Sequence, residues 1–157
     1  MKLYHGTNID FDVILLSKCK PNKDFGRGFY LTDLRRQAQQ MAIRRCEFEE
    51  VGTPVVQTYE FDDRFLTNGE LNIKVFNEVS AEWAEFILLN RKSRYRRVHT
   101  YDVVVGPVAD DGVIFQLNLY LQKLISLSQL VKELTYKKLN RQFYFGTEKA
   151  IKKLRRL

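Results

Sequence analysis

The placement of strand-like runs most constrains what this chain can fold into. Short apolar, β-branched or aromatic runs occur at Lys2–Tyr4, Val55–Phe61, Tyr101–Val105 and Gln142–Phe145. A further aromatic run, Phe29-Tyr30-Leu31-Thr32, follows Gly26 and Gly28. Stretches with helical spacing of apolar residues stand between them. Asp33 is positioned to cap Leu34–Arg45, Ser80 to cap Ala81–Arg91, and Thr147 to cap Glu148–Leu154. Ile114–Leu124 and Leu127–Leu139 read as amphipathic helices. Phe11–Leu15 is apolar and short, and Pro21-Asn22 marks a turn. No repeat, low-complexity tract or linker divides the chain. The pattern predicts one α+β domain over residues 1–157, with strands drawn from its whole length.

Composition excludes several classes. With 157 residues, 45% of them hydrophobic, the chain is long enough to bury a core. Its 2 cysteines, Cys19 and Cys46, form no CxxC pair, and there are 2 histidines. A closed zinc site would need all four at the wrong spacing. A disulfide framework is equally disfavoured, so a reducing, cytoplasmic setting is expected. The first residues hold no apolar signal core. No uncharged apolar run approaches the roughly 20 residues that span a bilayer. The formal charge of +7 fits either a nucleic-acid surface or an ordinary solvated one.

Two local patterns carry chemistry. His5-Gly6-Thr7 offers a ring donor, a backbone without Cβ and a hydroxyl at a strand end. A flat ring bearing a carboxamide could exchange two hydrogen bonds with the Gly6 backbone. Gly26-Arg27-Gly28-Phe29-Tyr30 allows a sharp turn, then presents an aromatic face and a hydroxyl at Tyr30. Successive strand residues face opposite sides, so Phe29 can pack while Tyr30 lines a cleft. Gly26-x-Gly28 precedes a strand, so it is not a dinucleotide-binding glycine loop.

His-Gly-Thr on the first strand, then Phe-Gly-Arg-Gly-Phe-Tyr-Leu-Thr-Asp at Phe25–Asp33, resembles the ADP-ribosyltransferase superfamily, nearest its poly-ADP-ribose polymerase branch. The remainder resembles a bacterial family of unknown function placed in that superfamily. The resemblance runs through Leu16–Gly26, Tyr59–Asp62, Trp83–Ile87, Asn90-Arg91-Lys92, Gly106–Asp111 and Phe145–Ala150. It implies two small antiparallel or mixed sheets packed with helices around an NAD cleft. It implies that His5 holds the cofactor ribose, Gly6 the nicotinamide carboxamide, and Tyr30 the nicotinamide ring. Thr7 and Gly28 flank these positions. The superfamily's late-strand glutamate corresponds here to Gln142.

That departure has chemical weight. A carboxylate stabilises an oxocarbenium-like centre and accepts a proton, whereas an amide only holds a hydroxyl. Losing one well-placed electrostatic group costs roughly 10²–10³ in rate. Either the chemistry is slow, or a carboxylate comes from elsewhere, with Asp110, Asp111 and Glu148 as candidates. A paired-acid metal site lacks an evident third ligand, so no metal is expected.

Lys18, Lys20, Lys23 and Arg27 flank the expected cleft and suit a pyrophosphate. Arg91–Arg97, with Tyr95 interleaved, and the group Lys152, Lys153, Arg155 and Arg156 suit phosphates, or form a solvated loop and a frayed tail. Trp83 reads as core, His99 as a surface or capping group, and Cys19 as structural. The expectation is an NAD-dependent mono-ADP-ribosyltransferase of toxin or regulatory type. It would act on a macromolecular acceptor, protein or nucleic acid, and the resemblance implies an antitoxin partner. The alternatives are a non-catalytic ADP-ribose or RNA-binding module and an NAD glycohydrolase.

Overall fold

The computed structural model describes residues 1–93, 96–135 and 140–157. Strands β1 (Lys2–Thr7), β3 (Val55–Phe61) and β7 (Leu154–Arg156) form one sheet in the order β1-β3-β7. All its pairs are antiparallel. The second sheet has the order β2-β6-β5-β4, built from β2 (Phe29–Leu31), β4 (Ile73–Val75), β5 (Val103–Pro107) and β6 (Arg141–Phe145). Only β4 and β5 run parallel there. Tyr4 N donates to Thr32 O at 2.8 Å and Thr32 N to Tyr4 O at 2.9 Å, stitching the two sheets at their edges.

Alternation along the strands assigns each sheet face. Leu3, Tyr59 and Phe61 of the first sheet meet Phe29, Leu31, Val103, Val105, Phe143 and Phe145 of the second in one buried cluster. Val104 and Tyr144, on the far face of the second sheet, pack against helices α2 (Ala81–Lys92), α3 (Asp111–Leu121) and α4 (Leu127–Thr135). Trp83, Ile87, Val113, Leu117, Leu130 and Leu134 supply that second core. Helix α1 (Arg35–Glu49) lies on the outer face of the first sheet. A Cβ on Gly6 would sit 1.9 Å from Ala38 O.

Most expected elements are present: α2 follows Ser80, whose hydroxyl accepts from Trp83 N, and Thr147 caps α5 (Glu148–Ile151). Three expectations need correction. Asp33 does not cap α1; its carboxylate pairs with Arg141 at 2.8 Å, and Leu34 occupies the cap position without a side-chain bond. Phe11–Leu15 forms no strand; Phe11 and Ile14 pack against the inter-sheet core, while Val13 and Leu15 stay exposed. The C-terminus is no frayed tail: β7 completes the first sheet, and Leu157 N donates to Thr58 O at 2.9 Å. The end of the expected Leu127–Leu139 helix, residues 136–139, lies outside the described residues.

Candidate functional site

His5 lies inside β1, not at its end. Its Nδ1 is 2.8 Å from the Tyr30 carbonyl. A carbonyl only accepts, so Nδ1 carries the proton and Nε2 is left as an acceptor. The ring sits on Phe29, centroids 4.4 Å apart, with Phe11 at its edge. Burial among these rings is the main force on the imidazole and takes its pKa from 6.5 to about 4. The bond to Tyr30 opposes this, and Arg45 adds to it.

A pH dependence follows, and its sign is fixed. Unfolded, His5 takes a proton near pH 6.5; folded, only near pH 4. Between these values the unfolded state binds more protons, so stability falls as pH drops through that window. The loss reaches about 3 kcal/mol at pH 4. His99 shifts downward too, chiefly through burial, and steepens the slope. Proton NMR is expected to show the His5 ring still neutral at pH 5; titration near 6.5 in the folded protein would refute this.

Gly6 is used differently from expectation. The room left by its missing side chain is filled by α1, with the Ala42 nitrogen also 2.9 Å from the position of a Cβ. The backbone tells another story. Tyr4 exchanges both bonds with Thr32. The antiparallel alternation therefore turns the N–H and C=O of Lys2, Tyr4 and Gly6 away from β3, toward the edge facing β2. Thr7 is buried, and its hydroxyl donates to Ile9 O at 3.1 Å.

Tyr30 and Gln142 occupy the helix-facing side of the second sheet. Tyr30 pairs with Tyr144, and Gln142 lies two residues away on the same strand. Such diagonal neighbours stand about 7–8 Å apart. The His5 and Tyr30 rings lie on opposite sides of β2, joined only through the Tyr30 carbonyl. The Tyr30 hydroxyl donates to Gly26 O at 2.7 Å and accepts from Phe25 N at 3.0 Å. Burial pushes that hydroxyl's pKa upward, so it stays protonated.

Asp24 completes the arrangement, and nothing in the sequence marked it. Its side chain is 9% exposed. Oδ1 takes Arg91 Nε at 2.9 Å and Nη2 at 2.5 Å. Oδ2 takes Gln142 Nε2 at 2.9 Å and Ala109 N at 3.3 Å. Gln142 Nε2 also donates to Pro107 O at 3.2 Å. Both neighbours of that nitrogen are pure acceptors. The amide orientation is therefore determined, and Oε1 is left as the acceptor.

The family model for a protein of unknown function, DUF3990, matches residues 1–156. This chain belongs to the DUF3990 family. No curated protein and no solved structure matches it.

Other expected residues of this DUF3990 chain fall elsewhere. Asp110 accepts from Val113 N at 2.8 Å as the cap of α3, and Asp111 begins that helix. Both are exposed, as is Glu148 at the start of α5. The carboxylate beside Gln142 is Asp24. Among the described residues no three potential ligands gather for a metal ion. Nor is any described helix long and apolar enough to cross a membrane. Cys19 is half-buried, and burial pushes its thiol pKa upward despite nearby arginines.

The basic residues divide sharply. Arg155 pairs with Glu60, Arg156 with Asp10 and Asp12, and Lys153 with Glu70. The C-terminal cluster is thus largely neutralised. Lys20 reaches Glu49 at 3.4 Å, and Lys18 and Lys23 are exposed. Gly28 is buried; a Cβ there would meet the Tyr144 ring at 2.2 Å. His99 is half-buried, and of the two expected roles it fills the capping one. Its Nδ1 accepts from Tyr101 N at 3.2 Å, so Nε2 donates to Phe25 O at 2.8 Å. Arg94 and Tyr95 of the Arg91–Arg97 run lie outside the described residues.

Proposed function

We propose that this chain binds NAD and transfers its ADP-ribose to a macromolecular acceptor, releasing nicotinamide. One observation carries the reading. His5 and Gln142, on opposite faces of the second sheet, are each held by a partner distant in sequence so that one acceptor atom remains. His5 Nε2 suits a ribose hydroxyl; Gln142 Oε1, on the opposite face of the sheet, is not assigned to the same ribose. The outward N–H and C=O of Gly6 suit a carboxamide. Tyr30, its hydroxyl committed to the 25–26 turn, would contribute its ring alone.

In the reaction the bond between ribose C1′ and the nicotinamide nitrogen breaks. Its electron pair leaves with nicotinamide. An acceptor nucleophile forms the new bond at C1′ and gives up its proton. Gln142 cannot take that proton, but Asp24 polarises its amide and places a negative charge nearby. Arg91 offsets part of that charge. This favours slow turnover and keeps a second reading in play, a binding module of the same fold that holds ADP-ribose without turnover.

Labelled NAD incubated with cell extract tests the reading. Label in protein or nucleic acid, with nicotinamide released, is expected for the wild type. His5→Ala is expected to lower the rate by about 10²–10³. Its fold would be checked by circular dichroism, because His5 also ties β1 to β2. Free ADP-ribose alone would indicate water as acceptor. Absence of both NAD binding and nicotinamide release would overturn the proposal.

A further inference from the structure

Two basic stretches far apart in sequence meet across one cleft. The cleft has a volume of about 230 Å³. Arg27 forms one side, Arg96 and Arg97 the other, and Tyr144 and Gly146 also line it. Among the described residues that line it, none is acidic. This contrasts with the C-terminal arginines, each facing a carboxylate.

Two of the three arginines, Arg27 and Arg97, are held by neutral acceptors. Arg27 Nη1 donates to Ser17 O at 2.9 Å. Arg97 Nε and Nη2 donate to His99 O at 2.8 Å and Tyr101 O at 2.9 Å. A guanidinium has five N–H groups, so these bonds use one and two of them. They fix each guanidinium while leaving its charge uncompensated by those partners. The walls are pinned as well. Tyr144 donates its hydroxyl to Arg27 O at 3.1 Å, and His99 ties residues 99–101 to the Phe25 carbonyl. His99 itself is neutral with both nitrogens engaged, so the positive field comes from the arginines.

We infer that this cleft binds a phosphate or diphosphate group. Planar guanidinium forks match phosphate oxygens, and Arg27 and Arg97, already anchored by the protein, lose little freedom on binding. Ordinary small-molecule pockets hold about 300–1,000 Å³. At about 230 Å³ the cleft fits an anionic head and leaves the rest of the ligand outside. The inference stands on the cleft alone and does not require the NAD reading. The phosphate could belong to a nucleotide or to a nucleic-acid backbone.

Calorimetry at low salt with inorganic pyrophosphate, ADP and a short RNA tests it. Wild-type protein is expected to bind pyrophosphate. Arg27→Gln and Arg96→Gln are each expected to weaken binding about tenfold. Arg155→Gln, outside the cleft, is expected to leave it unchanged. ADP binding more tightly than pyrophosphate supports the site and names a nucleotide as its source. RNA binding whose salt slope falls by about one per arginine removed supports it and names nucleic acid. Absence of pyrophosphate binding, or equal weakening by Arg155→Gln, overturns the inference. Pyrophosphate binding retained in His5→Ala, with no nicotinamide release by the wild type, would uphold the cleft while the NAD proposal fails.

Discussion

Asp24→Ala is expected to lower the unfolding free energy by about 3 kcal/mol, read as a lower urea midpoint. Removing one partner of a buried ion pair costs about 3–5 kcal/mol, because the other charge is left without compensation. Arg91 is 31% exposed, so water recovers part of its solvation and the lower end applies. The carboxylate also takes the Gln142 and Ala109 nitrogens, which would lose their acceptor. Gln142→Glu tests the same pair from the other side. It would set two carboxylates where 2.9 Å now separates an amide from one, and would turn the contact with Pro107 O repulsive. A loss of about 2–3 kcal/mol at pH 7 is expected, shrinking as acid protonates one carboxylate. Combining Gln142→Glu with Asp24→Asn restores one carboxylate and one amide. A double-mutant cycle should then give a favourable coupling of about 1–3 kcal/mol, with the Pro107 bond still lost. Strict additivity would show that Asp24 and Gln142 do not act as a pair. The glutamine follows physically from its neighbour, since a second carboxylate beside a buried aspartate is unfavourable.

Gly6→Ala is expected to destabilise by about 4 kcal/mol or more, or to prevent folding. The new Cβ would lie 1.9 Å from Ala38 O and 2.9 Å from Ala42 N. Both are helix backbone atoms, so no rotamer change relieves the clash, and α1 must move off the first sheet. Such displacement exceeds the about 1–3 kcal/mol typical of overpacking by side chains alone. Thermal unfolding checks this, with Gly69→Ala as control, since a Cβ there meets nothing within 4 Å. Gly69 has φ +80°, so its own loss reports only backbone strain, on the order of 1 kcal/mol. If Gly6→Ala lost no more than Gly69→Ala, the packing of α1 on β1 would be wrong. A glycine read for ligand access thus has a structural duty on one face of its strand. Its ligand-facing groups are the N–H and C=O in the sheet plane.

The elements legible in the sequence were those with a local physical cause. Val55–Phe61 has a β-branched and aromatic run, and Ser80 and Thr147 have hydroxyls one residue before a helix. Short β4 and β7 escaped notice, whereas β2, equally short, was marked by its aromatic run after two glycines. The pairing of β4 and β7 comes from β5 and from β3. Asp33 suited a cap by sequence, but Arg141, 108 residues away, claimed its carboxylate.

The candidate site divides along the same line. The sequence by itself determined an α+β chain of dispersed strands, with His5, Tyr30 and Gln142 as residues to watch. Their types and local spacing follow from neighbours within a few positions. Only the tertiary structure decided which atoms those residues present, because each is oriented by a distant partner. Tyr30 O sets the His5 tautomer, and Asp24 with Pro107 sets the Gln142 amide. The net charge of +7 is likewise a sequence fact, whereas its distribution is a tertiary one. Arg155 and Arg156 meet acids across the first sheet, while Arg27, Arg96 and Arg97 converge on a cleft without any among its described lining. Electrostatic pairing depends on distance in space, and spacing along the chain carries almost no record of it.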